Sequence, residues 1–507
     1  MRKTLSPKNH PLSSAAQHTN DARILLNLYI SPMKTLFLAI AIAAMPMWAF
    51  AQGTIIEDSL ILHLTTADID VLLSDAGLPS GILTLDYEVD VHRIVYNTPD
   101  PNGNPTYASG LVFIPTEVPC PLPLISYLHG TKVIKEETFY YLRDEWFLGA
   151  VMASSGYVMS MPDYLGLGFS PGFHPYQHNR SQATATIDLL RVAKTICAAT
   201  DVDLNGQLFL TGYSQGGHAC LGTHQIIQEE YANEFTVTAS APGSGPYDLS
   251  GNQFDMVAAL EPYSVPGYLP YLIIAYQSVY GDWYTDYSEI FTPPYDETLP
   301  PLFDGTHSFG EINEAMNDTP RLVIVPEYAD AFFGDPNHPA MIALQENDVY
   351  DWVPEAPVLL NYCSSDLEVT YLNALFTEQW MNDLGATNVT SIERSSTLSH
   401  FECAQPTLLF SKGWFDSLVE WCPAGVNDRE VMTDVNVQPN LVQDGFIRLT
   451  NNYPVELTLT DLSGRQLLQR SVRDSNAAIP LPEGASGMYF VTVRSGNAQR
   501  VQRIVVL

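Results

Sequence analysis

The sequence predicts an α/β protein, in which a mostly parallel sheet carries helices on both faces, followed by a small all-β sandwich domain. Short continuous apolar runs alternate with helix-length segments, which is typical of buried parallel strands joined by crossover helices. One run leads into Gly212-Tyr213-Ser214-Gln215-Gly216 and then into a helical stretch, a strand, turn and helix order that such sheets use. After Pro423 the pattern changes to short alternating strands, which predicts the sandwich.

The elements follow in order along the chain. Alternating apolar residues predict antiparallel strands at 86–96 and 108–114, joined by a hairpin turn at 98–105. Buried strands are predicted at 122–128, 157–161, 207–211, 236–241, 357–362 and 389–393. Helices are predicted at 137–154, 180–199, 215–231, 367–383 and 405–421. The C-terminal strands are predicted at 446–450, 455–461, 466–472, 487–494 and 500–507.

Residues 247–351 interrupt the alternation of strands and helices, so we interpret them as a cap inserted over the edge of the sheet. The segment is rich in Pro and Tyr and contains an apolar helix near residues 268–280. Its aromatic side chains either line a pocket or form the core of the cap, and aromatic residues at helical spacing are more often core. They are Tyr263, Tyr268, Tyr271, Tyr276, Tyr280, Trp283, Tyr284 and Tyr287.

The N-terminal region predicts a secretory signal peptide at residues 33–51. Met33-Lys34-Thr35 precedes the apolar run 36–44, and Ala49-Phe50-Ala51 has the small-x-small form of a cleavage site. The apolar run is shorter than the roughly 20 residues of a membrane span, and we find no other candidate span. We interpret residues 1–32 as an extension that arises from a start codon assigned too early. The predicted domains are then 52–425, a linker at 426–439, and 440–507.

The chain is strongly acidic, with a formal net charge of −34. Residues 52–429 hold 11 Lys or Arg and 49 Asp or Glu, whereas residues 430–507 hold 7 of each. This charge argues against binding to phosphate backbones, and therefore against a nucleic-acid partner. All six cysteines lie in the acidic region, and an exported chain can keep disulfides. We expect Cys403 to pair with Cys422 or Cys363.

Ser214 is the candidate nucleophile. It occupies the centre of a G-x-S-x-G sequence, in which a serine is held in a strained conformation between a strand and a helix. The strand and helix then come so close that the positions two before and two after the serine tolerate little side chain. The alternative is a glycine-rich surface turn, which the preceding apolar strand disfavours.

The candidate acid and base lie downstream, in the order that this type of site requires. Asp366 follows the strand 357–362, and His400 follows the strand 389–393 on a loop that precedes a helix. Open α/β sheets place their sites at the edge formed by the carboxyl ends of the strands. In this arrangement His400 takes the proton of Ser214, and Asp366 orients the imidazole. The alternatives are Glu368 and Asp348 for the acid, and His338, His307 and His224 for the base.

An oxyanion hole requires two backbone N–H groups directed at the developing charge. Gln215, the residue after the candidate nucleophile, supplies one. The second donor is expected after the strand 122–128, which ends in His129-Gly130-Thr131. Thr131 is the expected donor and Gly130 the alternative, unless His129-Gly130 simply ends a buried strand. This chemistry needs no metal and no cofactor, and no cysteine or histidine spacing is typical of a zinc site.

At these residues the chain resembles secreted α/β-hydrolases of the secretory lipase, esterase and prolyl-oligopeptidase-like group. The resemblance covers residues 85–425 and includes Pro162 to Gly168, His174-Pro175-Tyr176, Asp188 to Arg191, Gly212 to Gly217, Tyr362 to Asp366 and His400 to Pro406. It implies an α/β-hydrolase fold with a cap insertion, and a structural role for Asp163. The segment from Tyr247 to Asp351 departs from the family pattern.

The C-terminal segment resembles a sorting domain of the type IX secretion system. The resemblance is carried by Leu459 to Arg465, Ile479-Pro480-Leu481, Gly487 to Val493 and Arg503 to Leu507. It implies the type IX secretion machinery as a partner, and a protein that is secreted or attached to the outer-membrane surface. The alternative is a carbohydrate-binding or stabilising β domain.

Together these features predict an exported serine hydrolase that cleaves carboxylic esters of small molecules or lipids through an acyl-enzyme on Ser214. A serine peptidase on the same fold is the first alternative, although no propeller repeats precede the G-x-S-x-G sequence. A surface binding protein that keeps the fold without activity is the second, and a missing member of the triad would have favoured it.

Overall fold

The computed structural model describes residues 52–78, 83–421, 435–438, 441–442, 445–451, 454–461, 465–482, 485, 487–495 and 498–506. All of them belong to one compact unit, Ala51–Leu507. The expected N-terminal extension (1–32), the expected signal peptide (33–51), Cys422 and most of the expected linker lie outside the described residues. No helix within the described ranges is both long enough and apolar enough to span a bilayer.

A nine-stranded sheet organises the larger part of the described chain, in the order β1-β2-β3-β5-β4-β6-β7-β8-β9. From β5 onwards in this order, each strand is parallel to the next (β5-β4-β6-β7-β8-β9). The pairs β1-β2, β2-β3 and β3-β5 are antiparallel. The predicted mostly parallel sheet is therefore confirmed. The strands are β1 (Ile55–Leu64), β2 (Val89–Pro99), β3 (Pro105–Pro115), β4 (Leu122–Leu128), β5 (Val158–Pro162), β6 (Leu204–Tyr213), β7 (Val237–Gly243), β8 (Val358–Cys363) and β9 (Val389–Ser395).

The hairpin between β2 and β3 is longer than the sequence predicts. Its register runs to Pro99 opposite Pro105, so residues 100–104 alone form the turn. The Asp100 carboxylate accepts hydrogen bonds from the backbone N–H groups of Asn102 and Asn104, at 2.9 and 2.7 Å. An Asp side chain that accepts hydrogen bonds from backbone N–H groups a few residues later closes a tight turn. Strand β1, which pairs with β2, was not predicted.

Helices cover both faces of the sheet, as predicted. They are α1 (Thr66–Asp75), α2 (Phe147–Ser154), α3 (Asn179–Ala199), α4 (Gln215–Glu230), α5 (Asn252–Val257), α6 (Tyr268–Tyr280), α7 (Tyr295–Thr298), α8 (Phe309–Glu314), α9 (Pro326–Gly334), α10 (Pro339–Gln345), α11 (Leu372–Asp383) and α12 (His400–Asp416). One apolar core joins the sheet to α3 and α4, through side chains such as Leu190 and Ile227. A second joins the opposite face to α1, α2 and α12, through Leu73, Val151 and Phe415.

Two predicted helices differ from the structure for local reasons. The expected helix at 137–154 is divided into 3₁₀ turns at Phe139–Tyr141 and Asp144–Trp146, followed by α2, because Leu142 and Asp144 have positive φ angles of 54° and 56°. The expected helix at 405–421 begins earlier, at His400. Ser399 and Glu402 form a capping box there, which satisfies the first N–H groups of α12.

The segment between β7 and β8 contains the expected helix α6 and several shorter helices. Its aromatic side chains form a separate apolar core, centred on Phe254, Tyr271, Tyr276, Phe291 and Phe332. Most of the aromatic residues singled out in the sequence are therefore core residues of this segment. Tyr263 and Tyr268 also line cavities beside Ser214, as described below.

The C-terminal region forms two small sheets around their own core, which confirms the predicted all-β domain. The sheets have the orders β10-β12-β15 and β11-β17-β16-β13-β14, and their shared core includes Leu449, Leu457, Val491 and Ile504. The strands are β10 (Asn436–Gln438), β11 (Leu441–Val442), β12 (Phe446–Thr450), β13 (Val455–Asp461), β14 (Gln466–Val472), β15 (Asn476–Pro480), β16 (Gly487–Ser495) and β17 (Ala498–Val506).

Candidate active site

Ser214 lies in the turn between β6 and α4, with φ 59° and ψ −123°. A positive φ is strained for a residue with a side chain and persists where the surrounding structure holds it. The Ser214 N–H donates to the Gly243 carbonyl of β7 at 2.9 Å. The side chain is nearly buried, with 7% of its residue surface exposed. The turn thus presents Ser214 at the carboxyl edge of the sheet, where the sequence predicts it.

The glycines around Ser214 are required by backbone contacts on both sides of the turn. A Cβ atom on Gly212 would overlap the carbonyl oxygen of Gly216, and one on Gly216 would overlap that of Leu128 in β4. A Cβ on Gly217 would overlap the carbonyl of Gly243. The start of α4 therefore packs against β4 and β7 with no room for side chains, which is the close approach inferred from the sequence.

Asp366 and His400 form a direct hydrogen bond. The His400 Nδ1–H donates to Asp366 Oδ2 at 2.6 Å, and both side chains are almost fully buried. The other oxygen of Asp366 accepts the backbone N–H groups of Glu368 and Val369, each at 2.9 Å. With Nδ1 carrying the proton, Nε2 of His400 is left as the basic nitrogen.

Tyr213 connects the Ser214 turn to His400, and the sequence reasoning did not identify it. Its hydroxyl donates to the His400 carbonyl at 2.6 Å, and the two rings lie 5.1 Å apart. His400 itself is the first residue of α12, not a loop residue as predicted. The signal for this helix start was present in the sequence as Ser399-x-x-Glu402, a capping-box pattern.

A disulfide links the two segments that carry Asp366 and His400. Cys363, the last residue of β8, is bonded to Cys403 in the first turn of α12, across 40 residues of sequence. This is one of the two pairings expected for Cys403. Cys120 is also disulfide-bonded, whereas Cys197 and Cys220 are free and buried.

The alternative acids and bases are engaged elsewhere. The carboxylate of Glu368 accepts the Tyr268 hydroxyl at 3.1 Å, and that of Asp348 accepts the Ser250 hydroxyl at 2.6 Å. Each of the three alternative histidines contacts a group remote from the Asp366–His400 pair: His338 caps α10, His307 contacts Asp304, and His224 contacts Ser240.

The predicted oxyanion residues lie around Ser214. A Cβ built on Gly130 would lie 3.6 Å from the Cβ of Ser214, so the loop after β4 lies against the turn between β6 and α4. The hydroxyl of Thr131, in the same loop, donates to the Tyr176 hydroxyl at 3.3 Å. Gln215 is the first residue of α4, and the first N–H groups of a helix have no partner within the helix. The structure therefore brings both Gly130 and Gln215 next to Ser214.

Two cavities meet at Ser214. The larger has a volume of about 1110 Å³ and is lined by Ser214, His400, Gly130 and Thr131, among others. The smaller has a volume of about 50 Å³ and also includes Ser214. Tyr268 and Glu368 line both. Ser214 and His400 thus face a common space in which a substrate can bind.

Comparison with known proteins places this geometry in context. Residues 134–281 match the model of a family described as secretory lipase. In structure, the rice cell wall degrading esterase LipA from Xanthomonas oryzae is similar, with 29% identity and a TM-score of 0.63 over 72% of this chain and 96% of that one. The fold is that of an α/β-hydrolase.

Two further structures are similar to this α/β-hydrolase. A protein from Legionella pneumophila is 28% identical, with a TM-score of 0.67 over 72% of this chain and 98% of that one. Candida antarctica lipase A shares the fold, with 16% identity and a TM-score of 0.55 over 74% and 84% of the two chains. No curated protein matches the sequence. The family model and the esterase similarity support a lipase- or esterase-like hydrolase.

The C-terminal region of the hydrolase matches a second family model. Residues 436–507 match the secretion system C-terminal sorting domain, which is the type IX domain that the sequence resembles. This domain implies the type IX secretion machinery as a partner. Together with the secretory lipase match, it indicates an exported protein.

A buried histidine fixes the Gln215 side chain of the hydrolase. His174 donates from Nδ1 to the Leu165 carbonyl at 2.7 Å, so its Nε2 accepts the Gln215 side-chain amide at 2.8 Å. Burial lowers the pKa of His174 to about 3, which keeps the ring neutral and able to accept. His174 appears in the sequence only within the family resemblance, and no local pattern predicts its contact with Gln215.

Asp163 lies in the interior and links β3 to the 3₁₀ turn Phe139–Tyr141, a structural role of the kind that the resemblance implies. Its carboxylate accepts the Ser109 hydroxyl at 2.6 Å and the Tyr140 N–H at 3.3 Å. Burial raises the pKa of Asp163 to about 6, against the opposing effect of these hydrogen bonds. Within the part of the chain that the structure describes, no group of three or more His, Cys, Asp or Glu side chains is arranged to hold a metal ion.

Proposed function

We propose that the protein is an exported serine hydrolase that cleaves carboxylic esters through an acyl-enzyme on Ser214. The observation that carries the proposal is the Asp366–His400 hydrogen bond of 2.6 Å, because His400 lines the same cavity as the strained Ser214. A nucleophile with a base that is itself oriented by an acid is the arrangement used for acyl transfer.

In the proposed first half of the reaction, Nε2 of His400 takes the Ser214 Oγ proton while Oγ bonds to the ester carbonyl carbon. The negative charge on the carbonyl oxygen is stabilised by the N–H groups of Gln215 and Thr131, or Gly130 in place of Thr131. The bond to the alcohol oxygen then breaks, and His400 gives the proton to the departing alcohol.

In the second half, His400 takes a proton from water, whose oxygen bonds to the acyl carbon. The Ser214–acyl bond breaks, the proton returns to Ser214 Oγ, and the carboxylic acid leaves. Asp366 stabilises the imidazolium that forms in each half.

The test uses the chain from Gln52 to Leu507 and its Ser214→Ala variant, with p-nitrophenyl esters and peptide p-nitroanilides as substrates. We expect ester turnover that falls by about 10⁶-fold in the variant, and labelling by a fluorophosphonate that the variant lacks. Amide turnover without ester turnover would assign the protein to the peptidases. If neither substrate is turned over and Ser214 is not labelled, the proposal is wrong and a binding role is favoured.

A further inference from the structure

The turn after β8 holds the Asp366 carboxylate with two peptide groups. Oδ1 of Asp366 accepts the N–H of Glu368 and the N–H of Val369, each at 2.9 Å. These N–H groups belong to the peptide units Leu367–Glu368 and Glu368–Val369. A trans peptide unit is planar, and its C=O and N–H point in opposite directions. Groups that bind the two carbonyls therefore also set the direction of the two N–H groups.

Two buried side chains bind the carbonyl of the second peptide unit. The Gln253 side-chain amide donates to the Glu368 carbonyl at 2.9 Å, and the Tyr263 hydroxyl donates to the same oxygen. Gln253 lies in α5 and Tyr263 lies between α5 and α6, so both belong to the segment between β7 and β8. They are only 8% and 6% exposed, and bulk water has little access to replace them.

A third side chain of the same segment binds the carbonyl of the first peptide unit. The Ser264 hydroxyl donates to the Leu367 carbonyl at 2.8 Å. Both residues are exposed, so water can replace this hydrogen bond at little cost. The peptide unit between Glu368 and Val369 therefore depends more strongly on the side chains that bind it.

The orientation of the Gln253 amide is fixed by its other partners. Its Oε1 accepts the Thr370 N–H at 3.3 Å and the Asn373 side-chain amide at 3.1 Å. Because both partners are donors, they require the oxygen of the amide on their side. The NH₂ group is therefore the one that faces the Glu368 carbonyl.

These contacts form a continuous chain of hydrogen bonds that ends at His400. Tyr263 and Gln253 donate to the Glu368 carbonyl. The N–H of that peptide unit donates to Asp366 Oδ1, and Asp366 Oδ2 accepts from His400. Hydrogen bonds in such a chain polarise and strengthen one another. Removal of the first donors should therefore loosen the carboxylate at the other end.

We propose that Tyr263 and Gln253 are positioning residues for the proposed acid, Asp366. They orient the peptide unit that holds its carboxylate, and through the carboxylate they orient the imidazole of His400. This inference rests on the proposed function. It gives the segment between β7 and β8 a part in forming the site, in addition to lining the cavities beside Ser214.

The test removes the two donors from the chain 52–507. Tyr263→Phe removes one hydroxyl, and Gln253→Met replaces the amide with a side chain of similar length that has no donor. Tyr276→Phe is the matched control, because its buried hydroxyl also donates to a backbone carbonyl, that of Gln177 at 3.0 Å, away from the turn after β8. Far-UV circular dichroism and thermal unfolding check that each variant folds.

We expect Tyr263→Phe and Gln253→Met each to lower kcat and kcat/KM for p-nitrophenyl acetate equally, by about fivefold, the effect of one hydrogen bond. The double variant should lose about 10²-fold, more than the product of the single effects, because either donor alone can hold the carbonyl. Tyr276→Phe should stay within about twofold of the unsubstituted chain.

A double-mutant cycle with Asp366→Ala separates positioning from other effects. If Tyr263 acts through the Asp366 carboxylate, Tyr263→Phe has no further effect on kcat/KM once that carboxylate is absent. A Ser–His–Asp site that lacks one member keeps enough residual hydrolysis for this measurement. A substrate contact of Tyr263 in the smaller cavity, or a general loosening of the fold, would instead lower the rate in both backgrounds.

Two results would overturn the inference while the proposed function stands. One is a kcat/KM of the Tyr263→Phe, Gln253→Met double variant that equals that of Tyr276→Phe. The other is the same loss from Tyr263→Phe in the presence and in the absence of the Asp366 carboxylate. If the unsubstituted chain hydrolyses no ester, the proposed function itself is rejected. If Asp366→Ala alone leaves turnover unchanged, the assignment of the acid is rejected with it.

Discussion

The two oxygens of the Asp366 carboxylate have different partners. Oδ2 accepts from His400, and Oδ1 accepts two backbone N–H groups in the turn after β8. Because the backbone holds Oδ1, the carboxylate cannot rotate, and Oδ2 remains directed at the imidazole. The turn therefore sets both the orientation and the tautomer of His400.

Asp366→Asn tests this arrangement. The backbone N–H groups will hold the amide oxygen, which directs the NH₂ group at Nδ1 of His400 and forces the wrong tautomer. We expect kcat for ester hydrolysis to fall by about 10⁴-fold with the fold retained. Asp348→Asn is the control, since burial already raises the pKa of Asp348 to about 7. A similar loss in both variants would contradict the assignment of Asp366.

Buried neutral histidines make stability depend on pH. Burial lowers the pKa of His129, His178 and His218 to about 4, and that of His174 and His224 to about 3. Each folded-state pKa lies below the ordinary value of 6.5. Their contribution to stability is therefore complete above pH 6.5 and is lost as the pH falls towards 4 or 3.

His224→Gln isolates one of these groups, because His224 is remote from Ser214 and bonds only the Ser240 hydroxyl among its described hydrogen bonds. Between pH 7 and pH 5 the free energy of unfolding of the unsubstituted chain should fall by about 2 kcal/mol more than that of the variant. Urea unfolding at the two pH values measures the difference. Equal decreases would show that His224 is not a neutral buried group in the folded state.

At the scale of elements, the site depends on how closely α4 approaches β4 and β7. The glycines at 212, 216 and 217 permit this approach because backbone carbonyls occupy the space of their side chains. A backbone atom cannot turn away as a side chain can. The position of Ser214 is therefore fixed by contacts between elements as well as by its own φ angle.

Gly216→Ala should disturb these contacts directly. The added methyl group meets the Leu128 carbonyl, and we expect a loss of about 1 to 3 kcal/mol in the free energy of unfolding, as for other overpacked sites, together with reduced ester turnover. Gly334→Ala is the matched control, because its methyl group meets open space. Chemical denaturation gives both values. A Gly216→Ala chain as stable as Gly334→Ala would contradict the close approach.

The elements that the sequence predicts well are those specified by local patterns. Buried runs gave β4 and β8 nearly to the residue, and the G-x-S-x-G pattern gave the β6 turn and α4. The prediction failed where a side chain sets a boundary. The helix after Asp366 starts at Leu372 instead of 367, since the Asp366 carboxylate binds the N–H groups of residues 368 and 369 first.

The candidate site could be predicted only in part. Ser214, Asp366 and His400 follow strand ends, and parallel strands bring such positions to one edge. Tyr213, which reaches the His400 carbonyl, and His174, which binds Gln215, are separated from those partners by 187 and 41 residues. Contacts of this kind depend on the assembled sheet, and no spacing within a single sequence reports them.

At the scale of the whole molecule, the large sheet and the C-terminal region have separate apolar cores within the described residues. The apolar cores on the large sheet contain no residue beyond 419, whereas the C-terminal core contains only residues from 435 onwards. Separate cores are the mark of parts that fold independently. The charge changes at the same place, from strongly acidic to balanced.

We therefore expect a chain of residues 52–425 to fold and to keep kcat/KM within about twofold of the chain 52–507. Thermal unfolding and ester hydrolysis of the two chains provide the comparison. A loss of more than about tenfold, or an unfolded shorter chain, would show that the C-terminal domain supports the hydrolase. The same shorter chain should fail to cross the outer membrane if the sorting domain directs export.

The order of Ser214, Asp366 and His400 along the chain determines the order in which they are synthesised. A ribosome completes β6 and its turn long before it reaches the proposed base, which comes almost at the end of the hydrolase domain. Until then the nascent chain contains Ser214 without His400, and Cys363 without Cys403. Every product of interrupted synthesis that ends before His400 therefore lacks the Asp366–His400 pair, and the proposed activity requires synthesis to reach the start of α12.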